Sequence, residues 1–472
     1  MNKKKKNTEI YVVVYLFLAL FLALMGYFMY YVQFQSIDQV NNSYNTRQEN
    51  LAKRIIRGNI TADDGSTILA GTKVEADGSE ERIYPYGSLF SHVVGYSTRG
   101  RMGIELLGNI SLLTSNADIS ERIVNELGEE KNMGDTIVST LNFDLQQVAD
   151  KALADNAGAV VVMDPLTGQI KAMVSHPGFD PNEIVASWDE LNSEEKNAPL
   201  LNRAVSGLYP PGSTFKIVTL LEFLRENGDV SDYSFNCGGS FSMDGNTINC
   251  YHGSVHGKVD LKKSFAKSCN SSFANIGSEL NNTKFRNTAD SLLFNKDIPL
   301  KLTTQKSVFD MDNSTDIGDK LQDAIGQGRT LVTPMHLALI TSAIANEGVL
   351  QKPYLIERIQ NYQGVVMKQY KSEQYSKLMS ADEAAMLTDY MLEVVNSGTA
   401  SDLADAKYVS AGKTGSAEYS SDKSASHAWY TGFSDYHGKK LVVTVLVEGG
   451  GSGSKAAVPI AKSIFDKYYE ND

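Results

Sequence analysis

A serine and a lysine three residues apart, Ser213 and Lys216, stand in the segment YPPGSTFKIVTLLEFL that begins at Tyr209. A serine hydroxyl is a poor nucleophile until a neighbouring base takes its proton, and a neutral lysine amine can do so. Two prolines and a glycine halt the chain just before Ser213, and the apolar spacing after it predicts a helix from about that residue. Ser213 then sits at a helix N-terminus, where unpaired N–H groups and the dipole favour developing negative charge. Lys216 shares its face one turn on, and desolvation lowers a lysine pKa towards neutrality. The bare spacing is common: Ser193 with Lys196, Ser264 with Lys267, Ser420 with Lys423 and Ser452 with Lys455 repeat it. Those pairs lie in polar or glycine-rich surroundings or lack a preceding stop, so they read as solvated surface.

Two more groups could join this chemistry. Ser268 and Asn270, in AKSCNSSFANIG from Ala266, offer a hydroxyl to relay a proton and an amide to hold a substrate amide. Alone, the pair reads as an ordinary helix cap. Lys413, Thr414 and Gly415, in AGKTGSAEY from Ala411, form a triplet found nowhere else in the chain. On a strand, the glycine would let a ligand backbone approach closely; alone, the triplet reads equally as a tight turn.

The three cysteines, Cys237, Cys250 and Cys269, leave two readings open. One is a Cys237–Cys250 disulfide with Cys269 buried and inert. The other adds a nearby imidazole, His256 in preference to His252, and makes three thiolates and one histidine a closed tetrahedral zinc site. Cys269 lies between Ser268 and Asn270, so if those two face a cleft it must point elsewhere. Trp188 and Trp429 read as packing residues, the isolated histidines 92, 176, 336 and 437 do not read as ligands, and His427, near the cleft on a strand, is the one of further interest.

These groups need elements to hold them. Strands are expected in GAVVVMDPLTGQIKAMVS from Gly158, joined by a turn at 165–168, and in KKLVVTVLVEG from Lys439. Helices are expected in NFDLQQVADKAL from Asn142 and in VPIAKSIFDKYY from Val458. Strands at both ends with helices between predict an α+β domain over 141–472, one antiparallel sheet flanked by helices and completed by the two termini. Residues 33–140 read as a polar stalk and a small α+β pedestal. Residues 10–32 carry no charge, and 23 residues at about 1.5 Å each span about 34 Å, enough to cross a bilayer. The run is longer than the apolar part of a cleaved signal, which is roughly 7–15 residues. Lys3 to Lys6 place residues 1–9 in the cytoplasm and the rest outside. A net charge of −12 without a basic stripe excludes nucleic acid as a partner.

Ser-x-x-Lys, Ser-x-Asn and Lys-Thr-Gly, in that order, form the active-site set of penicillin-binding proteins and serine β-lactamases. The chain resembles the class B penicillin-binding proteins over nearly its whole length. GAVVVMDPLTGQIKAMVSHPGFDPN from Gly158, GQGRTLVTPMHLALITSAIANEG from Gly326 and HAWYTGF from His427 look like parts of the family's transpeptidase domain. RGNITADDGSTILA from Arg57 and MGIELL from Met102 look like its pedestal. The resemblance implies that Ser213 attacks the penultimate D-alanine carbonyl of a peptidoglycan stem peptide, with Lys216 as base. It implies that Ser268 relays the proton, Asn270 orients the donor and Lys413 supplies positive potential. Thr414 would bind the terminal carboxylate beside Gly415, and the Ser213 and Ser416 N–H groups would form an oxyanion hole. It further implies acylation by β-lactams, no cofactor for catalysis, a polymerase partner of the SEDS family in the bacterial cell membrane, and added weight for zinc. There is no room for a glycosyltransferase module before residue 140. The rivals are a class D β-lactamase, whose nucleophile segment also reads Ser-Thr-Phe-Lys, a D,D-carboxypeptidase and a non-catalytic cell-wall scaffold.

Overall fold

The computed structural model describes residues 8–31, 51–195, 197–419 and 426–471. The lysine run at 3–6, the stalk at 33–50, Lys196 and the pair Ser420 with Lys423 lie outside these residues. The helices that bear on the site are α1 (Thr8–Tyr30), α2 (Gly103–Leu107), α3 (Phe143–Leu153), α4 (Lys216–Asn227), α5 (Asn270–Glu279), α6 (Pro334–Ala345) and α7 (Gly453–Tyr468). Within α1 the stretch Ile10–Tyr30 has a mean hydropathy of 2.5 and is exposed along its whole length. Its length and composition suit a single membrane span.

The first large sheet has six strands: β1 (Ile60–Thr61), β2 (Ile68–Val74), β3 (Glu80–Ile83), β4 (Thr136–Ser139), β7 (Ile356–Gln360) and β8 (Val366–Gln369). Their order across the sheet is β8-β7-β4-β1-β2-β3, with β1 and β4 parallel and the other neighbours antiparallel. The outer hairpin β7–β8 therefore comes from far beyond residue 140, so the pedestal sheet is not one continuous stretch of chain. Beside it, Glu105 on α2 is fully buried between two arginines. Arg57 Nε donates to its Oε2 at 2.8 Å, and Arg82 Nε to its Oε1 at 2.7 Å. Burial opposes that charge, but Arg82 and Arg57 outweigh it and hold the carboxyl below its ordinary range.

The second sheet has the order β9-β10-β11-β5-β6, all antiparallel: β5 (Gly158–Met163), β6 (Ile170–His176), β9 (Val409–Glu418), β10 (Ser426–Tyr436) and β11 (Lys439–Val447). Every residue of β5 is buried, as its unbroken apolar run requires of a strand covered on both faces. The α6 helix lies on one face, where Thr341 meets Thr431 of β10 at 2.6 Å between hydroxyl oxygens. On the other face α7 packs on β10, and Tyr469, the residue that ends the helix, meets Ser434 at 3.0 Å, with α3 packed beside it. Those contacts fall on odd and even residues of one strand, hence on opposite faces. All twelve residues of α6 are buried, and Thr333 caps it by accepting the His336 N–H. The last helix begins at Gly453, five residues before the apolar run at Val458. The strand β9 is left at the sheet's edge, facing the turn Gly212–Phe215 that carries Ser213.

Candidate active site

Ser213 lies in a single 3-10 turn, Gly212–Phe215, that runs straight into α4. The chain can pass this close to the sheet only because residue 212 is glycine. Its φ is +52°, and a Cβ there would lie 2.8 Å from the Ser416 carbonyl oxygen of β9. From the other side, the Gly212 N–H donates to Gly326 O at 2.8 Å.

Lys216 opens α4 and is fully buried. Its Nζ is 3.1 Å from Ser213 Oγ, 2.7 Å from Asn270 Oδ1, 2.9 Å from the Ser268 carbonyl oxygen and 3.2 Å from Ser268 Oγ. Two of those four, the amide oxygen and the carbonyl, can only accept. A neutral amine has two N–H bonds to give them, and its lone pair is then left for the Ser213 hydroxyl. Burial lowers the Lys216 pKa to about 8, the Cys269 and Cys250 thiols partly opposing it. Lys413, equally buried on β9, donates to Ser268 Oγ and to Thr414 O, each at 3.0 Å. Burial and the charge of Lys216 push it well below the ordinary lysine range. Two ammonium groups against one hydroxyl, out of water, cannot both keep their protons at low cost.

Ser268 reaches both lysines because its backbone takes a left-handed φ of +56° between two helical segments. Asn270 is the first residue of α5, and its amide nitrogen donates to Asn249 O at 3.0 Å. It is not the helix cap: Cys269 is, accepting the Ser272 N–H through sulfur. The structure thus brings Ser213, Lys216, Ser268, Asn270 and Lys413 together, with Thr414 and Ser416 on the adjoining strand edge. The other described pairs stand apart: Lys267, for example, donates to the Ser397 carbonyl on the surface.

Gly415 needs a correction. Its bare face does not admit a ligand backbone; a Cβ there would meet Pro211 O at 3.0 Å, Thr214 Cγ2 at 3.1 Å and Trp429 Cβ at 3.1 Å. The glycine lets β9 lie against the nucleophile turn. Two further residues border the site that sequence reasoning passed over. Thr399 shares a hydroxyl contact with Thr414, and no local pattern marks it. Gln327, its carboxamide paired with the Glu418 backbone at 3.3 and 3.1 Å, stands between two left-handed glycines, a Gly-Gln-Gly signal visible in the sequence.

Behind Asn270, the sulfurs of Cys237, Cys250 and Cys269 and a ring nitrogen of His256 all lie within 4.8 Å of one another. All three thiols are free and buried. His252 points elsewhere, with its ring against Tyr251. A hydrogen bond from the Cys269 thiol lowers the Cys250 pKa below the ordinary thiol range and overcomes the burial that opposes it. His427 stacks on Tyr419 at 4.1 Å and accepts the Gly449 N–H.

Residues 158–466 match the penicillin binding protein transpeptidase domain family, and residues 57–137 match the penicillin binding protein A dimerisation domain. The chain belongs to the penicillin-binding protein transpeptidases. It is 30% identical over 439 residues to the peptidoglycan D,D-transpeptidase PbpA of Mycolicibacterium smegmatis, covering 86% of this chain and 88% of that one. A D,D-transpeptidase domain from Eggerthella lenta superposes with a TM-score of 0.79 at 31% identity, over 88% of this chain and 99% of that one. Penicillin-binding protein A of M. tuberculosis, solved as an imipenem acyl-enzyme, gives 0.78 at 27% identity over the same shares. The α+β fold and the family expected from the sequence are both borne out.

Proposed function

We propose that this chain is a peptidoglycan D,D-transpeptidase that cross-links stem peptides through an acyl-enzyme on Ser213 and is acylated there by β-lactams. The observation that carries this is the Lys216 amine, whose two pure acceptors leave its lone pair for the Ser213 hydroxyl at 3.1 Å. In this reading Lys216 takes the Ser213 proton while Oγ attacks the penultimate D-alanine carbonyl. The Ser213 and Ser416 N–H groups receive the oxyanion, and losing one such donor typically costs about 10²–10³ in rate. Ser268 passes the proton from Lys216 to the nitrogen of the departing D-alanine. Thr414 binds the terminal carboxylate, Lys413 supplies positive potential, and Asn270 orients the donor peptide. An amine from a neighbouring strand then attacks the acyl-enzyme, gives up its proton along the same path and regenerates Ser213. The curated relatives named as D,D-transpeptidases and the acyl-enzyme structures support this reading.

No cofactor is required for those steps. Three thiols and an imidazole in one buried cluster fit a structural zinc ion better than a lone disulfide, which would use two of four converging donors. Bound there, zinc would only cross-link, tying the Cys237 to His256 loop to the Ser268–Asn270 segment. The helix α1 would anchor the enzyme in the bacterial membrane with residues from 33 onward outside. Residues 33–140 would be stalk and pedestal and 141–472 the transpeptidase domain. A SEDS-family polymerase would be met through the anchor and pedestal; a solved PBP2 from Helicobacter pylori is in complex with MreC.

Fluorescent penicillin tests the nucleophile. Stable covalent label on the full chain and none on Ser213→Ala is expected. Label that forms and is shed within seconds would mean a β-lactamase, and no label on folded protein would remove Ser213 from its role. Metal analysis should give one zinc per chain; a metal-free protein with the mass of a Cys237–Cys250 disulfide would refute the zinc.

A further inference from the structure

Away from the catalytic cleft, a cavity of about 610 Å³ opens where the pedestal meets the transpeptidase domain. Its apolar wall includes Met102, Leu106, Leu200, Val205 and Leu302. Its charged lining residues are Arg101 and Lys301; no aspartate or glutamate lines it, in a chain whose net charge is −12. The size falls in the range of small-ligand sites, roughly 300–1,000 Å³.

Arg101 is the unusual member. It is half-buried with a left-handed φ of +63°, and its Nε is sealed from solvent without any hydrogen-bond partner among the described residues. The nearest carboxylate, Glu105, is already taken. Its Oε2 accepts both Arg57 Nε and Nη2, and its Oε1 accepts Arg82 Nε and the Tyr84 hydroxyl. Three guanidinium groups therefore share one buried anion. Lys301, on the exposed rim, likewise has no ion-pair partner among the described residues. The Nε is covered by the protein itself, and the two Nη groups, also without a hydrogen-bond partner among the described residues, are the donors left open to a ligand in the cavity. A guanidinium pairs best with a planar carboxylate, and the apolar wall calls for an apolar body attached to it.

We propose that this cavity is a second ligand site, taking a small carboxylate-bearing molecule with an apolar body. Arg101 binds the carboxylate, Lys301 adds attraction from the rim, and the leucines and Met102 receive the apolar part. Such a ligand could be a fragment of cell-wall peptide, which rests on the transpeptidase reading above, or an aliphatic or aromatic acid of other origin.

The test uses the full chain in a nonionic detergent with Ser213 blocked by benzylpenicillin, so that only other sites remain. If Ser213 takes no penicillin, that failure counts against the nucleophile alone, and the unblocked chain is titrated instead. Two probes are titrated by calorimetry: a soluble cell-wall tetrapeptide and 4-phenylbutyrate. Saturable binding of either probe is expected, weakened at least about tenfold by Arg101→Gln and by Lys301→Met and falling with added salt. Tetrapeptide binding alone identifies a wall fragment; binding of phenylbutyrate, alone or as well, identifies the broader acid class. Each variant's folded fraction is measured by its melting transition, and Lys301→Met, on the rim, keeps the test alive if Arg101→Gln misfolds. The proposal fails if neither probe binds at about 10 mM, far above the affinity of a useful site. It fails equally if the folded variants bind as the wild type does.

Discussion

Replacing Lys216 by methionine keeps an unbranched apolar stem in a fully buried place while deleting the amine. A positioned general base contributes about 10²–10⁴ in rate, which is about 3–5 kcal/mol of barrier at 1.36 kcal/mol per tenfold. The geometry suits Lys216 to that role, because two pure acceptors take its N–H bonds and the Ser213 hydroxyl, at 3.1 Å, is slightly nearer its lone pair than that of Ser268 at 3.2 Å. The same change strands Asn270 Oδ1 and the Ser268 carbonyl, at about 1–3 kcal/mol for each buried group that finds no water. Removing a desolvated amine offsets part of this. The assay is the rate of covalent labelling by fluorescent penicillin, followed across pH with melting temperature as the control for folding. In the wild type the base works only when neutral, so labelling should slow as pH falls below the Lys216 pKa of about 8 and level off above it. Lys216→Met should label about 10²–10⁴ times more slowly and lose that limb. A folded variant that labels within about tenfold of wild type and still slows below pH 8 would refute the assignment. Lys413, which also reaches Ser268 Oγ, would then be the base to test.

Three other perturbations reach different parts of the argument. Gly212→Ala puts a Cβ 2.8 Å from Ser416 O at a φ of +52°; a loss of roughly 1–3 kcal/mol in urea unfolding and slower labelling are expected, and no change in either would mean the turn can move off the strand. Glu105→Gln leaves Arg57 and Arg82 facing a neutral amide in a fully buried position, which should cost about 3–5 kcal/mol; a melting temperature equal to wild type would contradict it. Burial lowers the His336 pKa from 6.5 to about 4, against a bond to Leu292 O at 2.6 Å. The folded protein therefore binds this proton less readily than the unfolded chain, so the stability is intact above pH 6.5 and lost as pH falls towards 4. Urea midpoints at several pH values should show that decline, less steep in His336→Gln.

The three motifs were readable because each carries its chemistry in a few adjacent residues, and order along the chain tied them together. What surrounds them was less so. The hairpin β7–β8 has a visible turn at Gly364, but nothing local says that its partner is β4, more than two hundred residues earlier. Gly415 misled because a glycine on a strand beside a catalytic lysine suits ligand approach and close packing alike; only the neighbours at 3.0–3.1 Å decide between them. Thr399 meets Thr414 through a loop whose own sequence is unremarkable. For the sulfur cluster, the residue types were visible and the convergence was not: Cys269 lies 32 positions after Cys237, and only the folded loop places His256, not His252, beside it.

The arrangement around Ser268 links these observations. Two lysines lie within 3.2 Å of one hydroxyl, both cut off from water. Burying either as a cation is costly, and burying both beside each other costs more, so the site favours a state in which one is neutral. That state is the one a serine nucleophile needs. The fold secures it by bringing Lys216 from a helix, Lys413 from a sheet edge and Ser268 from a strained junction between two helices, the last held at a φ that costs a serine about 1–3 kcal/mol. Cys269 fixes that junction from behind, capping α5 while its sulfur joins the buried thiols. The loop that carries Cys237, Cys250 and His256 would thus support the proposed proton path from behind, and Asn249, one residue before Cys250, accepts the Asn270 amide N–H and holds it in place.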